Sequence, residues 1–271
     1  MADAAGTLVV RLGYRGTNFA GFAEQPGQRT VAGEMRQALE IFLRRPVSFD
    51  CAGRTDAGVH ALAQYISLPV MSEELSLAPH RLFASLVALT PDDISIKALY
   101  RADAGFSARG DACARRYRYR ICCGLTRPVM SWGHAWWLRS APILDLDAMN
   151  EAAEALIGEH NFQSFCKASS AALILEDGRS TSRFLSSISV FYEQEAGEDL
   201  IMCDVCGNAF LHNMVRVIVG SLVEVGCGRR KIQWLGEALA ACDRRQAGPT
   251  APACGLTLED VKYPVGVLRP W

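Results

Sequence analysis

Lysine is almost missing from this chain. Of 28 basic residues only Lys97, Lys167, Lys231 and Lys262 are lysines, so positive charge is carried by guanidinium groups. Guanidinium suits bidentate phosphate contacts and stacking on bases, while a GC-rich coding sequence produces the same bias, and composition leaves both explanations open. Surplus charge is missing too: 29 acidic residues leave a net charge of −1, which excludes the broadly basic surface usual in a nucleic-acid-binding domain and leaves room only for local patches. No apolar run approaches the roughly 18 residues of a membrane span, and Met1 to Gly6 carry no basic leader region, so the sequence predicts a cytoplasmic protein with no membrane association. The ten cysteines form no disulfide framework, which suits a reducing compartment. One pair, Cys203-Asp-Val-Cys206, has metal-like spacing, but strand alternation would point its thiols to opposite faces and no second pair exists. Neither a zinc site nor any other metal or cofactor is expected, and these thiols read as small buried hydrophobes.

What is present is a folded core: half of the 271 residues are hydrophobic, enough for one large domain or two ordinary ones. Thr7 to Tyr14 reads as a strand, and Val31, Met35, Ala38, Leu39, Phe42 and Leu43 recur at helical spacing up to the stop at Pro46. Strands follow at Val47–Cys51 and Val59–Leu68, then a helix near 80–89 and a strand at 94–100. Ala102 to Asp111 turns small and polar, so the boundary is placed there, with an N-terminal domain at 1–104 and a C-terminal domain at 105–271. In the second part a strand at 114–121, a helix at 145–157, a long surface loop at 167–182, a hairpin at 186–206, a buried helix capped by Asn208, a short helix at 232–241 and a closing strand at 256–263 are expected. Strands and helices in this order predict an α+β fold, with helices on one face of a sheet.

The chemistry concentrates in Cys51-Ala-Gly-Arg-Thr-Asp-Ala-Gly-Val-His-Ala61. Gly53 and Gly58 allow backbone conformations closed to other residues, so Arg54-Thr55-Asp56 can be held on a tight loop between strands. A carboxylate two residues from a guanidinium is biased toward its ionised, nucleophilic form; for a bare Arg-Thr-Asp, a surface turn would explain as much. Next, Phe106-Ser-Ala-Arg109 offers an anchor and an arginine. Ala114-Arg-Arg-Tyr-Arg-Tyr-Arg120, as a strand, puts Tyr117, Tyr119 and Ile121 on one face and Arg116, Arg118 and Arg120 on the other, able to attract phosphate. Finally Asn208-Ala-Phe-Leu-His-Asn-Met-Val-Arg216 opens an apolar helix with His212 and Arg216 four apart on one face. A buried guanidinium demands an anionic partner, for which Glu224 is one structural candidate. Trp132, Trp136, Trp137 and His134 read as core and interface.

GRTDAGVHA resembles the signature loop of the TruA family of transfer-RNA pseudouridine synthases, and ARRYRY and NAFLHNMVR resemble that family's later motifs, in order, from Tyr14 to Tyr263. The resemblance implies two similar halves, each a mixed or antiparallel sheet with helices on one face, with an RNA-binding cleft between them. It also implies isomerisation of uridine to pseudouridine in the anticodon arm of tRNA, at about positions 38 to 40, by a cofactor-free homodimer. Asp56 would be the nucleophile, acting at C6 of the base or at the ribose. Arg54 and Arg109 would contact RNA, Tyr117 would pack on the target uracil, Arg216 would pair with the catalytic aspartate, and Leu256 would pack against the active site. One departure stands out: the family's Gly-Trp-Gln run reads Gly21-Phe22-Ala23-Glu24-Gln25 here. Two rival readings remain, a non-catalytic RNA-binding module and a glycosidase; the second lacks its usual second carboxylic acid in these motifs.

Overall fold

A computed structural model describes residues 4–139 and 143–271. The chain opens with strand β1 (Gly6–Tyr14), buried along nearly its whole length. Helix α1 (Val31–Leu43) starts where the Thr30 side chain accepts from the Gly33 N–H, and it buries Val31, Met35, Ala38 and Leu39. This is the apolar stripe that the periodicity predicted. After a short β2 (Asp50–Cys51), β3 (His60–Val70) runs antiparallel to β1, with Leu12 opposite Gln64. Helix α2 (Pro79–Leu89), with proline in its first turn, leads to β4 (Ile94–Ala102) on the other side of β1. These elements belong to a first unit, Met1–Ala114.

Arg115–Thr257 forms a second unit. Here β5 (Ala114–Cys123) pairs in parallel with the short β6 (Trp136–Leu138). Helix α3 (Leu146–Ala153), capped by the Asp145 carboxylate, leads to β7 (Gly158–Asn161). The expected surface loop at 167–182 is corrected: Ala168–Glu176 is a helix, α4, closed by Gly178 at φ 67°. Its serines suggest a loop, yet Ala-Ala-Leu-Ile-Leu-Glu is a run of adequate helix formers that needs few tertiary contacts. The hairpin of β8 (Ser182–Glu195) and β9 (Glu198–Gly207) is longer than its apolar runs suggest, and the sheet orders as β5–β9–β8–β7. Helix α5 (Met214–Gly226) is buried nearly all round, followed by α6 (Trp234–Ala240).

Helix α5 begins later than expected, and Asn208 does not cap it. Asn208 is spent on the sheet, its N–H and side-chain oxygen bonding the backbone of Phe184. Asn213 then takes a left-handed conformation, φ 65°, which cannot lie inside a right-handed helix. His212 therefore precedes the helix, and its Nδ1 meets the Ser170 hydroxyl at 2.8 Å.

The closing strand β10 (Leu256–Lys262) and β11 (Arg269–Pro270) end the chain. Leu258–Trp271 groups with the first unit, where β11 pairs with β4 and the Tyr263 ring meets Tyr65 edge-on at 5.2 Å. Among the described residues no helix is long and apolar enough to cross a membrane.

Candidate active site

Two consecutive anchors carry the loop with Asp56. On one side lies the segment after β1: the Phe22 N–H donates to the Thr55 carbonyl at 3.0 Å, and Gly21, at φ 102°, sits so close that a Cβ there would lie 3.1 Å from that oxygen and 3.2 Å from the Ala57 nitrogen. Gly16 is tighter still, since its N–H donates to Nδ1 of buried His60 and a Cβ would collide with the Val59 carbonyl. On the other side lies β3, whose buried Gln64 holds both backbone groups of Gly53. Tyr14 completes the frame through its hydroxyl, 2.7 Å from Thr55 Oγ1. Of the two glycines that flank Arg54-Thr55-Asp56, only Gly58 takes a positive φ, 82°. Asp56 emerges half-buried, its carbonyl accepting from the Val59 N–H.

Arg54 and Arg109 come together beside this loop. Both guanidinium groups act on the Cys51 thiol, which burial nonetheless pushes up to about 11. Arg109 reaches the loop because its turn is pinned inside the first unit: Ser107 Oγ donates to Asp50, the Ala108 N–H to Ser67 Oγ, and the Tyr263 hydroxyl to the Ala108 carbonyl. The small polar stretch read as a boundary is thus a fastened turn. The altered segment Gly21-Phe22-Ala23-Glu24-Gln25 is structural: Phe22 is buried, Glu24 pairs with Arg36, and Gln25 bonds the Ala20 carbonyl.

The second unit carries Tyr117, Arg216 and Leu256. Tyr117 is buried on β5 with its ring edge-on to Phe210 at 5.1 Å. Arg216, in the first turn of α5, donates through Nε to the Ala251 carbonyl at 2.8 Å and through Nη1 to Asn213 Oδ1 at 3.1 Å. Glu224 is engaged by Arg229 at 2.8 Å. The segment 248–256 is strapped down beside Arg216, with the Gly248 N–H on Ser221 Oγ, the Ala251 N–H on the Arg216 carbonyl and the Tyr119 hydroxyl on the Pro252 carbonyl. Leu256 lies buried at its end.

The arginine face of β5 meets carboxylates. Arg118 forks onto Asp204 and reaches Glu193, Arg116 also touches Asp204, and Arg120 bonds Glu195. The expected phosphate-attracting face is corrected to an ion-paired ladder, because β9 and β8 bring acids opposite each guanidinium. Sequence reasoning missed the frame around Asp56 altogether. Its one readable signal is Gln64, a lone amide in the apolar run of β3.

The first unit thus presents a carboxylate on a braced loop beside two arginines, and the second unit holds a buried tyrosine and an arginine bonded in the first turn of its long helix. Residues 152–264 match the family model described as tRNA pseudouridine synthase. The chain is 43% identical over 252 residues to the tRNA pseudouridine synthase A of Brevibacillus brevis, covering 93% of this chain and 97% of that protein. It is 40% identical to its namesake in Geobacillus kaustophilus, over 93% and 92% of the two chains, and 39% identical to that of Streptomyces avermitilis, over 95% and 88%. The chain belongs to the tRNA pseudouridine synthase A family.

Proposed function

We propose that this protein isomerises uridine to pseudouridine in tRNA, on the anticodon arm at about positions 38 to 40, with Asp56 as nucleophile. In the reaction the N1–C1′ bond breaks, the base turns, C5 bonds C1′, the C5 proton leaves to solvent and N1 takes up a proton. The carrying observation is the Asp56 loop, a half-buried carboxylate whose backbone is bonded from two sides. Such bracing is what a nucleophile needs, since a misplacement of about 1 Å lowers rates about 100-fold. Arg54 and Arg109 bind the RNA backbone; the family resemblance gives Tyr117 the turned-out uracil, Leu256 a packing role beside the reacting base and Arg216 the charge of the catalytic carboxylate. The target base leaves its stack first, at a few kcal/mol.

The cytoplasm is the proposed location, supported by ten unbridged cysteines. A homodimer is the proposed working form, supported by exposed Leu125, Val129, Met130 and Trp132 in one loop of the second unit, an apolar patch of the kind that marks association surfaces. The test incubates the protein with tRNA carrying [5-³H]uridine and counts released tritium. Stoichiometric release that stops when positions 38 to 40 are changed to cytidine is expected; no release, or release independent of those positions, overturns the proposal.

A further inference from the structure

A single amide stands in the interior of the first unit's sheet. Gln64 is wholly buried at the centre of β3, opposite Leu12 of β1. A buried amide is unfavourable unless its groups are bonded, and a glutamine offers two donors and two acceptor positions. Gln64 satisfies them all. Its Oε1 accepts from the N–H groups of Gly53 and Tyr65, both at 3.2 Å, and its Nε2 donates to the Gly53 carbonyl at 2.6 Å and the Tyr14 hydroxyl at 3.3 Å. Three of these four bonds are made to the Asp56 loop or to a residue that grips it. Gly53 is held as a neighbouring strand would hold it, by N–H and C=O together. Tyr14 passes the connection on to Thr55, the residue immediately before Asp56.

An aliphatic residue at position 64 would fill the strand interior but would take a partner from both backbone groups of Gly53 and from the Tyr14 hydroxyl, so what the amide adds to the sheet is a hold on the loop. We propose that Gln64 is a positioning residue for the proposed nucleophile, fixing the backbone of Asp56 through Gly53 and, by way of Tyr14, through Thr55. The kinetic part of this proposal rests on the isomerase reading above; the structural part does not.

Gln64→Met keeps the volume and loses all four bonds, while Tyr14→Phe keeps the ring against Phe22 and loses one hydroxyl. Two measurements are made on the full chain, amide hydrogen exchange of segment 53–58 and steady-state tritium release. Exchange at 53–58 is expected to accelerate more than about tenfold in Gln64→Met, with β1 and β4 unchanged. The kcat is expected to fall by between about tenfold and 100-fold while KM for tRNA stays within about threefold. Tyr14→Phe should show both effects more weakly. Leu82→Ala in α2, matched for loss of melting temperature, should leave kcat at the wild-type value, so an equal kcat loss in this control overturns the proposal. Unchanged exchange and kcat in Gln64→Met overturn it as well. Should Gln64→Met fail to fold, Tyr14→Phe decides, and wild-type exchange and kcat in that variant overturn the proposal. Wild-type protein that releases no tritium instead sinks the isomerase reading, and the exchange result then stands alone in judging the brace.

Discussion

At the scale of the residue, Asp56 is a product of glycine as much as of carboxylate. Gly21 adopts φ 102° and its missing Cβ leaves room for the Thr55 oxygen and the Ala57 nitrogen. Gly21→Ala therefore strains the backbone and presses a methyl onto peptide atoms that cannot turn aside, for a loss of about 1–3 kcal/mol by thermal or urea unfolding and a clear drop in turnover. A wild-type melting curve for Gly21→Ala would contradict this account of the loop. Asp56→Asn makes the opposite case: it should keep shape, fold and tRNA affinity and lose the proposed nucleophile, so tritium release should vanish, and activity within about tenfold of wild type would refute the assignment. That Asp56 sits on a tight loop ahead of β3 was legible from its motif. The reason given for it was half right, because Gly58 uses a left-handed conformation while Gly53 is a docking point for Gln64. Bonds between residues 11 and 41 positions apart leave no local pattern in a single sequence, which is why Gln64 and Tyr14 escaped notice as partners of this loop.

At the scale of the element, period-two alternation correctly sorted β5 into tyrosine and arginine faces, and what it could not say is what lies opposite. Asp204 and Glu193 belong to β9 and β8, some 75 to 88 residues away. Helix α5 shows the same limit: its apolar run extends back toward Asn208, and only the left-handed Asn213 stops it. Because Arg118 already faces two carboxylates, Arg118→Met should leave the slope of log affinity for tRNA against log salt nearly unchanged, whereas Arg54→Ala or Arg109→Ala should each lower it by about 0.7 to 1. Equal slopes for all three variants would return Arg118 to the RNA surface. Glu198, at the start of β9, predicts a pH effect. The Ser131 side chain and the Val129, Ser131 and Met130 N–H groups hold its carboxyl at about 2, below the ordinary 4.5. A depressed folded value stabilises above the unfolded one and is lost as pH falls through the folded one. The loop at 129–131 should therefore stay fastened above about pH 4.5 and loosen progressively toward pH 2, read by amide exchange, with Glu198→Gln already loose at pH 7. Identical exchange in Glu198→Gln and wild type at pH 7 would dismiss this carboxylate as the fastening.

At the scale of the whole molecule, a net charge of −1 gives little long-range attraction for a polyanion. With the β5 arginines ion-paired within their own sheet, the proposed phosphate contacts of Arg54 and Arg109 are few per chain. Few contacts per chain favour two chains on one RNA, because a second set of contacts then adds at high effective concentration. The exposed loop with Leu125, Val129, Met130 and Trp132 offers apolar surface for such pairing. Sedimentation should accordingly give about twice the chain mass, and Met130→Glu, which sets a charge among these residues, should shift the distribution toward single chains, with a melting temperature that no longer rises with protein concentration. Affinity for intact tRNA should exceed that for an isolated anticodon hairpin, fall steeply with salt, and drop toward the hairpin value in Met130→Glu. A single chain with full activity, or equal affinity for hairpin and intact tRNA in the wild type, would exclude binding by two subunits and leave each chain to recognise its RNA alone.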